Sequence, residues 1–268
     1  MGTLVSFHAH PDDEAIAMGG TLARASSEGH RVVLVFATKG EHGEYPSGFL
    51  TDGETLGGRR VRETLDAASV LGVHRVEFLG YVDSGMAGTP TNDDPDCFWQ
   101  ANADVAAAKL ATILREEDAD VLTTYDPNGG YGHPDHIQVH RVGHRAAALA
   151  STARVYEATM NRDHLKRLVI AAREAALDIE GMPDPESFDG FGLGDDEITT
   201  AVDVMSFIAQ KRAAMAAHAS QIAENSIFLS LPDDAFAITW GTEWYVRVGA
   251  DAGTSETWLF AEETACSR

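Results

Sequence analysis

The alternation of short apolar runs with amphipathic stretches along residues 1–160 constrains the fold more than any other feature of this sequence. "TLVSFHAH" (3–10) and "RVVLVFAT" (31–38) are apolar at both alternating sets of positions, the pattern of strands covered on both faces. Between them, "DEAIAMGGTLARASSEG" carries Ile16, Leu22 and Ala23 at helical spacing and stops at Gly29, a C-cap residue. The rhythm repeats with a helix over 54–72, a strand over 75–81, a helix over 100–118, a strand over 119–125, a helix from "HPDH" to residue 150, and a strand at "ARVYEATM" (153–160). Repeated β-α units imply a parallel sheet with right-handed crossovers, so the expected class is α/β. After residue 180 the rhythm loosens. "GMPDPESFDGFGLGDD" (181–196) reads as a loop, "ITTAVDV" (198–204) as a strand and 205–222 as a helix. "WYVRVG" (244–249) and "SETWLF" (255–260) read as a late hairpin. No repeat and no linker divides the chain. The expectation is one domain over 1–268, with the site in 1–160 and a C-terminal extension, 161–268, completing the substrate side.

Open α/β sheets bind ligands beyond the carboxyl ends of their strands. Four loops that follow strands should meet there: "HAHPDDEA" (8–15), "KGEHGEYPSGFLTDGETLGG" (39–58), "DSGMAGTPTNDDPDCF" (83–98) and "YDPNGGYGHPDH" (125–136). A hydrolytic metal site needs three His or carboxylate ligands, an open position for water and a nearby base. His10, Asp13 and one histidine of "GHPDH", His133 or His136, supply two histidines and a carboxylate. Pro11 forces a turn that can aim His10 and Asp13 at one ion and leave Asp12 on the open side as the natural base. A divalent ion lowers the pKa of bound water toward about 7, which makes that water the expected nucleophile toward a carbonyl. The remaining histidine can act as an electrophile or acid, with Asp135 fixing a ring tautomer. Tyr131 can donate its hydroxyl to a developing oxyanion, and Gly129 and Gly130 free the turn that presents it.

Blander readings compete with each of these. Asp12 or Asp13 could cap the helix that starts there, with Glu14 favourable toward its dipole. His136 and His140 stand at the i, i+4 zinc spacing but lack the Glu of HExxH, so His140 and His144 are expected to pack the helix. His8 reads as a residue behind the site or a satisfied core histidine. "KRAAMAAHASQ" reads as a helix against the sheet, with Lys211 and Arg212 solvated. Neither a dinucleotide nor a P-loop fingerprint occurs, and no GxSxG suggests a covalent nucleophile.

Charge narrows the partners. With 42 acidic against 20 basic residues, the net charge of -22 repels nucleic acid and anionic membranes, so the expected partners are neutral, cationic or metal-bound. No run of about 18 apolar residues suggests a membrane span. Cys97 and Cys266, far apart, suit a reducing compartment. With no secretory signal pattern, the expected location is cytoplasmic, and a homo-oligomer is compatible with all of this. Few cations stand on the rim beyond Arg59, Arg60 and Arg62, which disfavours phosphoester hydrolysis.

"AHPDDE" (9–14), "TKGEHGE" (38–44), "RRVRETLDAASVLGV" (59–73), "GYVDSGM" (80–86) and "TYDPNGGYGHPDHI" (124–137), in this order, resemble the LmbE-like or PIG-L family of zinc-dependent N-deacetylases. "DSGM" and "YDPNGGYGHPDH" are most similar to the family's mycothiol-pathway branch. The resemblance implies a Rossmann-like fold, mostly parallel with helices on both faces. It also implies one zinc ion (Zn2+) per chain, held by His10, Asp13 and His136, although iron(II) (Fe2+) also accepts such a set. Asp12 would then be the general base, His133 would assist at the carbonyl with Asp135 orienting it, and Tyr131 would contact the oxyanion. Glu44, Arg60 and Asp83 would hold the sugar or its inositol. The implied reaction removes acetate from an N-acetylglucosamine-type substrate such as N-acetylglucosaminyl-inositol. Cleavage of a mycothiol S-conjugate is the alternative within the family, and a non-catalytic metal- or sugar-binding protein the alternative outside it.

Overall fold

In the computed structural model, which describes residues 1–174, 183–226, 228–251 and 253–261, the chain reverses direction across the sheet beside its first strand. β1 (Thr3–His8), α1 (Asp13–Ser27), β2 (Arg31–Phe36), α2 (Leu56–Leu71) and β3 (Arg75–Phe78) wind one way. The chain then returns through α3 (Ala103–Glu116) to β4 (Val121–Tyr125). A one-turn α4 (Gly129–Gly132), α5 (Pro134–Ala150) and β5 (Arg154–Thr159) continue on the far side of β1. β1 pairs in parallel with both β2 and β4, so Leu4 faces Val32 on one edge and Val121 on the other. Every residue of β1 is buried, as expected of a strand covered on both faces, with Thr3, Ser6 and His8 its polar members. Right-handed crossovers in opposite winding directions place the two helix groups on opposite faces. The next helices are α6 (Arg162–Glu174) and, after β6 (Thr200–Asp203), α7 (Ile208–Ala217) and α8 (Asp233–Trp240), and β7 (Thr242–Arg247) completes the sheet. α7 joins α1 and α2 on one face, while α3 packs on α5 on the other.

The strand order is β3-β2-β1-β4-β5-β7-β6, with β1 to β5 parallel and β7 antiparallel to both β5 and β6. This is the expected mostly parallel α/β sheet. The C-terminal antiparallel pair exists, but it is β6 with β7, not 244–249 with 255–260. Both edges of β7 are taken, so the later segment contributes only the bridge Thr200↔Glu256. Its aromatic side chains pack instead, Trp258 under the Arg24 guanidinium and Phe260 stacked on His30. α6 and α8 were not expected, and part of the 181–196 loop lies outside the described residues. No helix among the described residues is long and apolar enough to cross a membrane.

Lys211 corrects another expectation. It is not solvated but only 1% exposed, and its Nζ donates to Glu243 Oε1 at 2.6 Å and to the Ile16 carbonyl at 2.7 Å. Glu243 also accepts from the Gly20 and Thr21 amides, at 2.9 and 2.7 Å. Arg212 is half-buried, bound to Asp233 and to the carbonyls of Leu229 and Leu231. The ammonium therefore fastens α7 across α1 to β7, and a Cβ at Gly20 would collide with Val204 in the same seam. Lys211→Met leaves a buried carboxylate without its counter-ion and should destabilise the fold by about 3–5 kcal/mol in urea unfolding. A loss under about 1 kcal/mol, the scale of an exposed pair, would show that the pair does not act as a buried one.

Candidate active site

The strand ends of β1 and β4 flank the point where the sheet order reverses, and both lead into histidine-carboxylate segments. After β1 the chain turns at Pro11, and Asp12 adopts φ 106° and ψ -31°, a conformation that a non-glycine residue rarely occupies. Asp12 stands at the N-cap of α1, yet its carboxylate makes no capping bond. The amide of Asp12 instead donates to Glu14 Oε2 at 2.9 Å, and the buried Glu14 accepts from His218 on the other oxygen at 2.5 Å. Capping therefore does not consume Asp12. Its Oδ1 lies 3.3 Å from the Arg60 guanidinium, which also donates to the Gly40 carbonyl at 2.9 Å and to the Pro11 carbonyl.

The opposite lip is shaped by Asp126, a residue the sequence patterns did not single out. Its Oδ1 accepts from the Asn128 and Gly130 amides at 2.9 and 3.0 Å, closing a turn in which Gly129 and Gly130 both have positive φ. A Cβ at Gly129 would also run into His136. This turn presents Tyr131, 44% exposed, with its ring edge-on to His136 at 4.9 Å between centroids. His133 then caps α5, its Nδ1 accepting from the Asp135 amide at 3.1 Å. A neutral His133 must accordingly carry its proton on Nε2.

The two lips meet at His10, Asp13 and His136. Asp13 Oδ2 lies 3.6 Å from His10 Nδ1, and Asp13 Oδ1 lies 3.4 Å from His136 Nε2. His136 Nδ1 is satisfied by the Gly129 carbonyl at 3.2 Å, but its Nε2 is buried without any hydrogen-bond partner. Ligand atoms that share an ion at about 2.1 Å stand roughly 3–3.5 Å apart, so these separations and the orphaned nitrogen fit a divalent transition ion. His133 belongs to the same tight group of histidines.

Asp135 departs from its expected position. Its carboxylate accepts from His10 Nε2 at 3.1 Å, while only its backbone amide touches His133. The carboxylate sits there because Ser84 donates to it from both its amide, at 2.9 Å, and its hydroxyl. In "DSGM" the sequence pattern points to Asp83 and gives no sign of the role of Ser84. An imidazole that donates to a carboxylate while its other nitrogen faces a metal position is a usual outer-layer arrangement. Asp83 is 4% exposed, 3.4 Å from His10 Nε2, and accepts from the Gly85 and His42 amides. Arg60 is likewise buried, so of the three expected sugar contacts only Glu44 is exposed on the rim. His8 lies beneath the group, its ring nitrogens 2.9 Å from the Tyr125 hydroxyl and 2.6 Å from Ser6 Oγ.

The electrostatics follow from burying several carboxylates together. Burial raises the Asp12 carboxyl to about 6 against the opposing pull of Arg60. Burial acts the same way on Asp13, but His136 and His10 outweigh it and hold that carboxyl far below the usual range. Burial would lower His10, and the carboxylates of Asp13, Asp135 and Asp83 reverse this and hold its pKa well above the ordinary value. Burial, aided by His10 and His136, pushes His133 down to about 4, which keeps it neutral near pH 7. A cationic His10 balances the acidic cage here, and a divalent cation can take over that balance. Behind Tyr131 and His136 opens a mostly apolar cleft lined by Ile16, Met160, Leu165, Trp240 and Trp244.

Fold and site together define a class of α/β proteins that carry a two-histidine, one-carboxylate cluster at the switch point of a parallel sheet. Residues 5–147 match the family model described as "PIG-L: GlcNAc-PI de-N-acetylase", and the chain belongs to this family. It is 42% identical to a protein of Acidothermus cellulolyticus named 1D-myo-inositol 2-acetamido-2-deoxy-alpha-D-glucopyranoside deacetylase, over 93% of this chain and 90% of the relative. A protein of the same name from Thermobifida fusca is 44% identical over 82% and 83% of the two chains. Among solved structures, the N,N'-diacetylchitobiose deacetylase of Pyrococcus horikoshii aligns with a TM-score of 0.56 at 20% identity, over 92% of this chain and 83% of that one. That likeness concerns the fold.

Proposed function

We propose that this chain is a metal-dependent N-deacetylase acting on an N-acetylglucosaminyl-inositol, with zinc as the ion. The observation that carries the reading is the unpartnered His136 Nε2, buried 3.4 Å from Asp13, whose neighbour in the chain, Asp12, has a carboxylate that no helix cap consumes. The names of relatives at 42% and 44% identity support the substrate. His10, Asp13 and His136 would hold the ion, which would supply a Lewis acid that polarises the amide carbonyl and acidifies water. Asp12 takes a proton from the attacking water, whose oxygen bonds to the acetyl carbon. His133 donates from Nε2 to the carbonyl oxygen, and the Tyr131 hydroxyl donates to it as negative charge develops. The C–N bond then breaks, and Asp12 returns its proton to the departing amine, leaving acetate and a free amino sugar. Arg60 steadies Asp12, and Asp135 with Ser84 steadies His10, so both act by positioning. Residues after 161 complete the substrate side through Leu165, Trp240 and Trp244.

Acetate release from N-acetylglucosaminyl-inositol, measured on metal-stripped enzyme and after reconstitution with zinc or iron(II), tests the reading. Cleavage of a mycothiol S-conjugate without acetate release would replace it by the amidase reading, and zinc binding without any turnover by the binding-protein reading. Tyr131→Phe removes one oxyanion donor and should lower kcat by roughly 10²-fold with little change in KM. An unchanged kcat would take the hydroxyl out of the reaction. Asp12 must be ionised to accept a proton, and its carboxyl stands at about 6. The acid limb of kcat/KM should therefore fall as pH drops through about 6, and a profile flat down to pH 4.5 would sink this assignment.

A further inference from the structure

α5 continues beyond the candidate site, and its next two turns carry His140 and His144 on the face toward β5. Both imidazoles converge on one carboxylate oxygen. Glu157 Oε1 lies 2.7 Å from His144 Nε2 and 3.3 Å from His140 Nδ1. Glu157 is 8% exposed, on a strand hydrogen-bonded to β4 on one side and β7 on the other. The two rings stand 4.3 Å apart between centroids. One ligand atom from each of the three residues lies within 4.8 Å of the others, a span that small side-chain rotations close around one ion. His144 is about one-third exposed (32%), which leaves an outer side for water to complete the coordination.

We infer that His140, His144 and Glu157 form a second site for a divalent first-row transition ion, separate from the His10–Asp13–His136 cluster. Two imidazoles and a carboxylate are a donor set for zinc, cobalt(II) and iron(II) rather than for calcium or magnesium, which prefer all-oxygen sites. An ion here clamps α5, the helix that carries His136, to β5. His140 also reaches the Tyr125 carbonyl at 3.0 Å, at the strand end from which the Asp126 turn begins. The site is therefore structural, one layer behind the chemistry.

Zinc binding to the full chain by equilibrium dialysis, with elemental analysis, tests this in the parent, in His136→Ala, in His144→Ala and in the double variant. His136→Ala should retain one equivalent that disappears when His144→Ala is added, and zinc should raise the melting temperature of His136→Ala but not of the double variant. Cobalt(II) in His136→Ala should give visible d–d bands that are lost with His144. Glu157→Gln, which keeps the shape of the site, replaces His144→Ala if that variant does not fold. The inference is overturned if no bound metal depends on His144 or Glu157, in which case the trio is only a hydrogen-bonded ion pair. Failure of the deacetylase reading has a different signature, since the His144-dependent equivalent would then remain while no acetate is released.

Discussion

Asp12→Asn should lower turnover by about 10²–10⁴-fold, the range supplied by a positioned general base, while the metal stoichiometry of the parent is kept. The asparagine preserves the size of the side chain and removes its basicity, together with the charge that faces Arg60. The structure makes this a clean substitution for two reasons. The carboxylate makes no helix cap, so α1 loses no terminal bond, and the amide that Glu14 accepts from belongs to the backbone and survives the change. What changes at Asp12 is a carboxyl that burial holds at about 6, ionised at neutral pH yet basic enough to take a proton from water. Near-normal turnover in Asp12→Asn would leave Glu14 and Asp13 as the remaining acidic groups of the turn, and both are committed, Glu14 to His218 and Asp13 between His10 and His136. Such a result would therefore remove carboxylate base catalysis from this turn altogether.

Period and strand-end chemistry made much of this legible in the sequence. Largely apolar runs at 3–10 and 31–38 specify strands buried on both faces, and they form the paired strands β1 and β2 within the sheet. The segments after β1 and β4 converge because the strand order reverses between those two strands, a topology that the β-α rhythm implies without stating where the reversal falls. Partners set by tertiary packing were not legible. Asp135 lies beside His133 in sequence, but Ser84 draws its carboxylate to His10, a contact that depends on how the loop after β3 folds over the site. Lys211 looks like a solvated helix residue until β7 brings Glu243 beneath α1. Arg60 shows no sign in the sequence that its guanidinium will be spent on the Gly40 and Pro11 carbonyls. In each case a charged side chain meets a partner from a distant element, and local spacing carries no trace of the meeting.

His136→Ala should release one equivalent of metal and abolish acetate release. The prediction rests on His136 Nε2, a buried nitrogen of the site without a hydrogen-bond partner. A buried imidazole nitrogen left unpaired carries a desolvation cost of roughly 1–3 kcal/mol, which a ligand at that position offsets. Its other nitrogen is anchored by Gly129, and a Cβ at Gly129 would strike His136, so the ring is fixed with Nε2 aimed at Asp13. Alanine removes that donor and leaves His10 and Asp13. Losing an outer partner of a metal ligand already costs about 10–100-fold in affinity, which sets the expected effect of Asp135→Asn. Losing a ligand outright should cost more, enough for His136→Ala to be purified with one equivalent fewer than the parent. The order of the two variants is the sharper test, because Asp135→Asn should recover metal and activity in excess zinc while His136→Ala should not. Full occupancy of His136→Ala relative to the parent would show that the unpartnered nitrogen is a packing defect and that the ion, if bound, is held by other residues.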